Sequence, residues 1–123
     1  MEKPYCLLLS ILVLFSAGCT NVTDQDIEAG KKALQTGDPY YCTKIGDTVG
    51  RDICFSTLAS KNKDEKICER ITDLQIKDGC FMSVSMIKQD ASVCKKISDE
   101  RSAEECAKSV KGLGKDVVSN LLS

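Results

Sequence analysis

The chain has 123 residues, 42% of them apolar and 28% charged, with seventeen basic and eighteen acidic side chains and a net charge of −1. That is one domain of modest size and ordinary globular composition, without the basic stripe that nucleic acid requires, so no nucleic-acid partner is expected. Eight cysteines and no histidine point to an oxidising compartment and a disulfide framework, not to a metal centre.

The chain opens with Met1 to Pro4, a head carrying Lys3, followed by the apolar run Tyr5 to Ala17. Residues 1–18 read as a secretory signal peptide, too short for a comfortable membrane span. Cys19 follows directly, and Phe15-Ser16-Ala17-Gly18-Cys19 resembles the lipobox of prokaryotic lipoproteins, with Ser16 where that family usually carries an aliphatic residue. The resemblance implies cleavage before Cys19 and lipid attachment to its thiol, anchoring the protein to the outer face of the cytoplasmic membrane. Ordinary cleavage after Gly18 is also allowed, since Ser16 and Gly18 satisfy the small-x-small rule; the product would then be secreted, with Cys19 free or paired between molecules. Cysteine arithmetic favours the lipid. Removing Cys6 with the leader and committing Cys19 leaves an even six.

Residues 19–23 are then the anchor cysteine and a short tether. Asn21-Val22-Thr23 has the form of a glycosylation sequon, which makes Asn21 a possible modification site; a chance tripeptide in a polar linker is the plainer reading. Thr23 and Asp26 form the pattern of a capping box. The helix they open places Ile27, Ala33 and Leu34 on one face, and Gly37 suits its end. Residues 24–37 are expected to form a capping helix at the N-terminal end of a repeat array.

From Asp38 to Lys115 one 26-residue unit is written three times, as 38–63, 64–89 and 90–115. Such a period signals an array of small supersecondary units. Cys42, Cys68 and Cys94 share one register, and Cys54, Cys80 and Cys106 another. Asp38, Asp64 and Asp90 read as N-caps, with Pro39 at a first helical position. Tyr41, Cys42 and Ile45 share a face of a short first helix, and Ile67, Cys68, Ile71 and Val93, Cys94, Ile97 repeat it. Asp47, Asp73 and Asp99 mark a turn and the next cap. The second helix carries Cys54, Phe55 and Leu58, then Cys80, Phe81 and Val84, then Cys106, Ala107 and Val110. Asp52, Asp78 and Glu104 precede the second cysteines, and Asp26 shares their phase. No period-two run suggests a strand. The expectation is an all-α fold: a short solenoid-like stack of three disulfide-stapled helical hairpins with flanking capping helices. Gly112 and Gly114 fall in an expected inter-unit loop. Residues 116–123, with Val117, Val118, Leu121 and Leu122 apolar, read as a truncated first helix covering the open end.

Six cysteines allow 15 connectivities. In one regular scheme each unit closes on itself, Cys42–Cys54, Cys68–Cys80 and Cys94–Cys106, facing across a turn near Thr48, Leu74 or Glu100. In the other, Cys54 pairs with Cys68 and Cys80 with Cys94, which strands Cys42 and Cys106. The first leaves no orphan and is the expected one. Helices of about eight residues are marginal alone, and closing a loop of about 13 residues removes roughly 3 kcal/mol of unfolded-state entropy in the chain-entropy model. The staples are therefore expected to decide whether the domain folds.

No catalytic constellation is present. The cysteine gaps do not suit zinc, there is no Cys-x-x-Cys, no Gly-x-Ser-x-Gly or histidine base, and no phosphate-cradling glycine loop. The acidic pairs Asp99-Glu100 and Glu104-Glu105 read as a solvated helix start. No cofactor and no enzymatic activity are expected. Tyr41 takes a core slot, whereas Tyr40 takes an exposed one and is the possible recognition residue. Lys61, Lys63, Lys88, Lys95 and Lys96 could form a weak basic edge, with a solubilising surface as the default.

The unit looks like a shortened tetratricopeptide-type repeat, though 26 residues is shorter than that family's unit and its Trp, Leu-Gly and Tyr signature is absent. Its Cys-x2-Ile and Asp-x-Cys-Phe elements, Cys68 to Ile71 and Asp78 to Phe81, more closely resemble small cysteine-paired helical-repeat lipoproteins of archaeal cell envelopes. That resemblance implies location and architecture and no activity. The expected function is a non-catalytic, lipid-anchored envelope protein that binds or scaffolds a protein partner. The alternatives are an extracytoplasmic thiol-disulfide redox protein and a purely structural envelope component.

Overall fold

The computed structural model describes residues 22–122, with side chains described through Leu113. The expected leader, the Cys19 anchor, the Asn21 site and the apolar face of residues 117–122 lie outside the described residues and side chains. Among the described residues the protein is all helical, without a strand. The long helices are α1 (Asp24–Thr36), α2 (Thr48–Asn62), α4 (Leu74–Lys88) and α5 (Glu100–Leu122). Between them lie four-residue segments: η1 (Tyr41–Lys44) and η2 (Val93–Lys96), both 3₁₀, and the single turn α3 (Glu65–Cys68).

The two helices of each unit are thus very unequal. Asp38, Asp64 and Asp90 each accept the backbone N–H two residues on, from Tyr40, Lys66 and Ser92 at 2.9, 3.0 and 2.9 Å. Only Asp64 is the expected N-cap. At η1 and η2 the N-caps are Tyr40 and Ser92, without a side-chain cap bond. Asp38 and Asp90 therefore form Asx turns ahead of the segments, and Pro39 lies in the first of these turns, not at a first helical position. The chain leaves the two 3₁₀ segments at Ile45 and Ile97, whose ψ angles of 121° and 131° are extended. Asp47, Asp73 and Asp99 then cap the long helices, accepting from the N–H groups of Gly50, Ile76 and Ser102 at 2.7, 2.9 and 2.8 Å. Thr23 and Asp26 form the expected capping box on α1.

Disulfides Cys42–Cys54, Cys68–Cys80 and Cys94–Cys106 join each short segment to the long helix that succeeds it. A four-residue helix cannot persist alone, because its nucleus costs more than its few bonds return. The disulfide and the neighbouring long helices hold it. η1 packs on α1 and α2, α3 on α2 and α4, and η2 on α4 and α5. The core repeats with the sequence: Ile45, Ile71 and Ile97, the six cysteines, Leu58, Val84 and Val110, and Phe55 and Phe81 are all buried.

Three expectations are corrected. On α1 the buried face carries Asp26, Ala29 and Ala33, while Ile27 and Leu34 are 48% and 39% exposed. Asp26 decides this. Its Oδ1 accepts the Gly46 N–H at 2.7 Å, which turns its face of the helix inward and carries Ile27, about 100° further round, towards solvent. At the other end α5 runs unbroken to Leu122, so Gly112 and Gly114 lie within a helix, not in a loop. A Cβ at Gly112 would meet nothing within 4 Å, and a helical glycine weakens a helix by only about 1 kcal/mol. Residues 116–122 continue α5 and are not a separate first helix.

Candidate functional site

One acidic position per long helix fastens each unit to the next. Asp52, fully buried, accepts the Thr72 hydroxyl at 2.8 Å, the Thr72 N–H at 3.1 Å and the Asp73 N–H at 2.8 Å. Asp26 holds Gly46 in the same way, and half-buried Asp78 accepts the Ser98 N–H at 3.0 Å together with the Ser98 hydroxyl. The acceptor and its first donor are 20 residues apart each time, with Asp73 one residue further on. The carboxylate therefore grips the amides of the turn that leads into the following helix, at or just before its N-cap, close to the positive end of the dipole, which favours an anion. At Asp52, desolvation pushes the carboxyl pKa up. The bonds from Asp73 and Thr72, helped by the Arg51 charge, pull it net below the ordinary value. The Thr23 and Gly46 amides likewise hold Asp26 low.

The next residue of interest fills the space between units. Phe55 lies under the Arg70 guanidinium of the following unit at 4.7 Å, and Phe81 under the Lys96 ammonium at 5.8 Å. These rings sit three residues after the acid. Their stacking with a cation adds a modest attraction to the apolar burial.

In the third unit no described residue covers the same surface. Glu104 takes the acid position and is exposed, and a half-buried Ala107 stands where the other units have phenylalanine. Lys111 stands where they have Ala59 and Ser85. Missing the aromatic ring, this end holds a cavity of about 450 Å³ between η2 and α5. Ala91, Ala103 and Ala107 give it an apolar lining, with Lys95, Lys111, Glu100 and Glu104 around it. It can take an apolar side chain, with Glu104 placed to accept backbone or hydroxyl donors as Asp52 and Asp78 do.

The other sequence candidates lie elsewhere. Tyr40 is 54% exposed, edge-on to Tyr41 at 5.7 Å and beneath the Lys44 ammonium at 4.5 Å. Tyr41 is half-buried against the core. Much of the expected basic edge is spent within the fold. Lys61 donates to the Leu34 carbonyl, Lys88 pairs with Glu65 at 2.6 Å, and Lys96 pairs with Glu69. The inter-unit grip of the acids is present in the sequence only as a phase shared by Asp26, Asp52, Asp78 and Glu104. Ala107 in the phenylalanine slot is the one visible sign of the cavity.

No helix among the described residues is long and apolar enough to cross a membrane. A domain held by three disulfides belongs outside the reducing cytoplasm. Comparison with family models, with curated proteins and with solved structures finds no match to this chain.

Proposed function

We propose that this is a non-catalytic envelope protein, tethered through a lipid on Cys19, whose short solenoid-like stack of three hairpins binds a protein partner at its C-terminal end. The observation that carries the reading is the third-unit surface that no described residue covers. The repeat supplies a pattern for what such a surface accepts: the turn leading into a helix, presenting free amides and, at Thr72 and Ser98, a hydroxyl to a carboxylate. Glu104 offers that carboxylate beside an apolar cavity lined by Ala103 and Ala107. Arrays of this kind use surfaces along and across successive units for recognition. Tyr40, an exposed aromatic of the type favoured in binding hot spots, supplies a second contact point.

The test uses protein from its native membranes. Its intact mass should begin at Cys19 and include acyl chains; an unmodified Cys19 would remove the tether. A photo-crosslinking side chain at position 107 should give one stoichiometric adduct that is absent when the probe stands at 83, on the exposed side of α4. Equal or no labelling at the two positions would favour a purely structural envelope component.

A further inference from the structure

The three disulfides are not chemically equivalent. In the long helix before each one, a small buried residue occupies the same register: Ala33, Ala59 and Ser85, all with no exposed surface. Only the third carries a hydroxyl. Ser85 Oγ lies 3.0 Å from Cys106 Sγ and 3.4 Å from Cys94 Sγ, and 2.7 Å from the Met82 carbonyl oxygen. The sulfurs of a disulfide carry no proton, so the single hydroxyl proton goes to Met82, much the better acceptor. The lone pairs of Oγ then face the sulfurs with nothing to accept. Reduction changes that. Each sulfur gains a proton, and a thiol beside Oγ becomes a donor to it; a thiolate there can instead accept a hydrogen bond from the hydroxyl. The reduced third pair gains a hydrogen bond that a methyl group at 33 or 59 cannot offer the other two.

Position adds to this. The first and second units are followed by another unit, whereas among the described residues nothing packs beyond η2 and α5. Cys94 borders the cavity at that end, although only 1% of it is exposed. Lys95 and Lys111 are balanced there by Glu100 and Glu104, and Cys94 and Cys106 are only 1% and 2% exposed, so the selectivity rests on Ser85, not on exposure or local charge.

We propose that Cys94–Cys106 is a thiol-disulfide exchange site, reduced by a dithiol ahead of the two structural disulfides. One thiolate of the dithiol approaches through the cavity and attacks Cys94 Sγ. The Cys94–Cys106 bond breaks, its electron pair leaves on Cys106 Sγ beside Ser85 Oγ, and that sulfur takes up a proton. The second thiol of the dithiol then attacks its own sulfur in the mixed disulfide, freeing Cys94 as a thiol and leaving the reductant oxidised. Two electrons and two protons pass from dithiol to protein. The end unit loses its staple, and with it the cavity geometry between η2 and α5, while the first two units keep theirs.

The full chain should be equilibrated in dithiothreitol redox buffers, quenched with acid, alkylated and mapped by peptide mass. Cys94 and Cys106 are expected to become alkylated at a reduced-to-oxidised ratio about tenfold lower than the other four cysteines, a difference of about 30 mV. Ser85→Ala, which installs the residue that α1 and α2 carry at this register, should remove most of that gap. Ala59→Ser should move Cys68–Cys80 towards the third pair. Simultaneous reduction of all three pairs would overturn the proposal. So would earlier reduction of Cys42–Cys54, whose Cys54 is the most exposed of the six at 8%, or a gap unchanged by Ser85→Ala.

Discussion

Asp52 shows how one buried carboxylate can join two units. Its three donors come from Thr72 and Asp73 in the next unit, and none of these backbone groups has another partner at the start of α4. Asp52→Ala would strand them, and charged hydrogen bonds of this kind cost roughly 3 kcal/mol in sum when one partner is deleted. Urea unfolding should show that loss, with a smaller one for the less buried Asp78→Ala. The same residues set the response to acid. Asp26, Asp52, Asp90 and Asp99 are all held below the ordinary value of 3.8. The folded state therefore binds fewer protons than the unfolded chain near that pH. The stability they contribute is complete above about pH 4 and falls as pH drops through their lowered pKa values. A urea midpoint that stays constant from pH 7 to pH 2 would contradict this. Lys88, held above its ordinary value by its bond to Glu65, contributes in the opposite window, below about pH 10, and that part is lost on further alkalinisation.

At the scale of the element, the caps and cysteines are legible because each has a local chemical signature. The aspartates three residues before a helical amide, Asp47, Asp73 and Asp99, are readable from sequence alone, and so is Thr23 with Asp26, whereas Asp38 and Asp90 look like caps and form turns instead. Helix ends without such a signature are not. Gly37, Lys63 and Gln89 occupy one register, and all three take the left-handed conformation, at φ 76°, 54° and 54°. Only the glycine announces itself. A non-glycine residue there costs about 1 kcal/mol, so Gln89→Gly should stabilise the protein by that order, read as a rise in Tm. An unchanged or lower Tm would show that Gln89 makes a compensating contact. The face of α1 escapes the sequence for a related reason. Counting apolar side chains favours Ile27 and Leu34, but the hydrogen bond from Gly46 to Asp26 outweighs what two partly exposed aliphatic residues gain. At α5 the glycines suggest a loop, yet the long helix absorbs them.

For the whole molecule, the period of the cysteines carries most of the information. It implies helical units and a pairing within each unit, and the structure makes those three bonds. The cavity at the C-terminal end is legible only as Ala107 in the phenylalanine slot, because it arises from a ring that is missing and not from any residue with a chemical signature of its own. The fold as a whole depends on staples that hold short segments unable to stand alone. Each staple closes a loop worth roughly 3 kcal/mol in the chain-entropy model, against a typical domain stability of about 5–15 kcal/mol. The direct measurement is far-UV circular dichroism before and after complete reduction, with alkylation of all six repeat cysteines verified by mass. Most of the helical signal should be lost, beginning with the third unit as reductant is raised. Full retention of helix with six alkylated thiols would contradict the dependence of the fold on its disulfides.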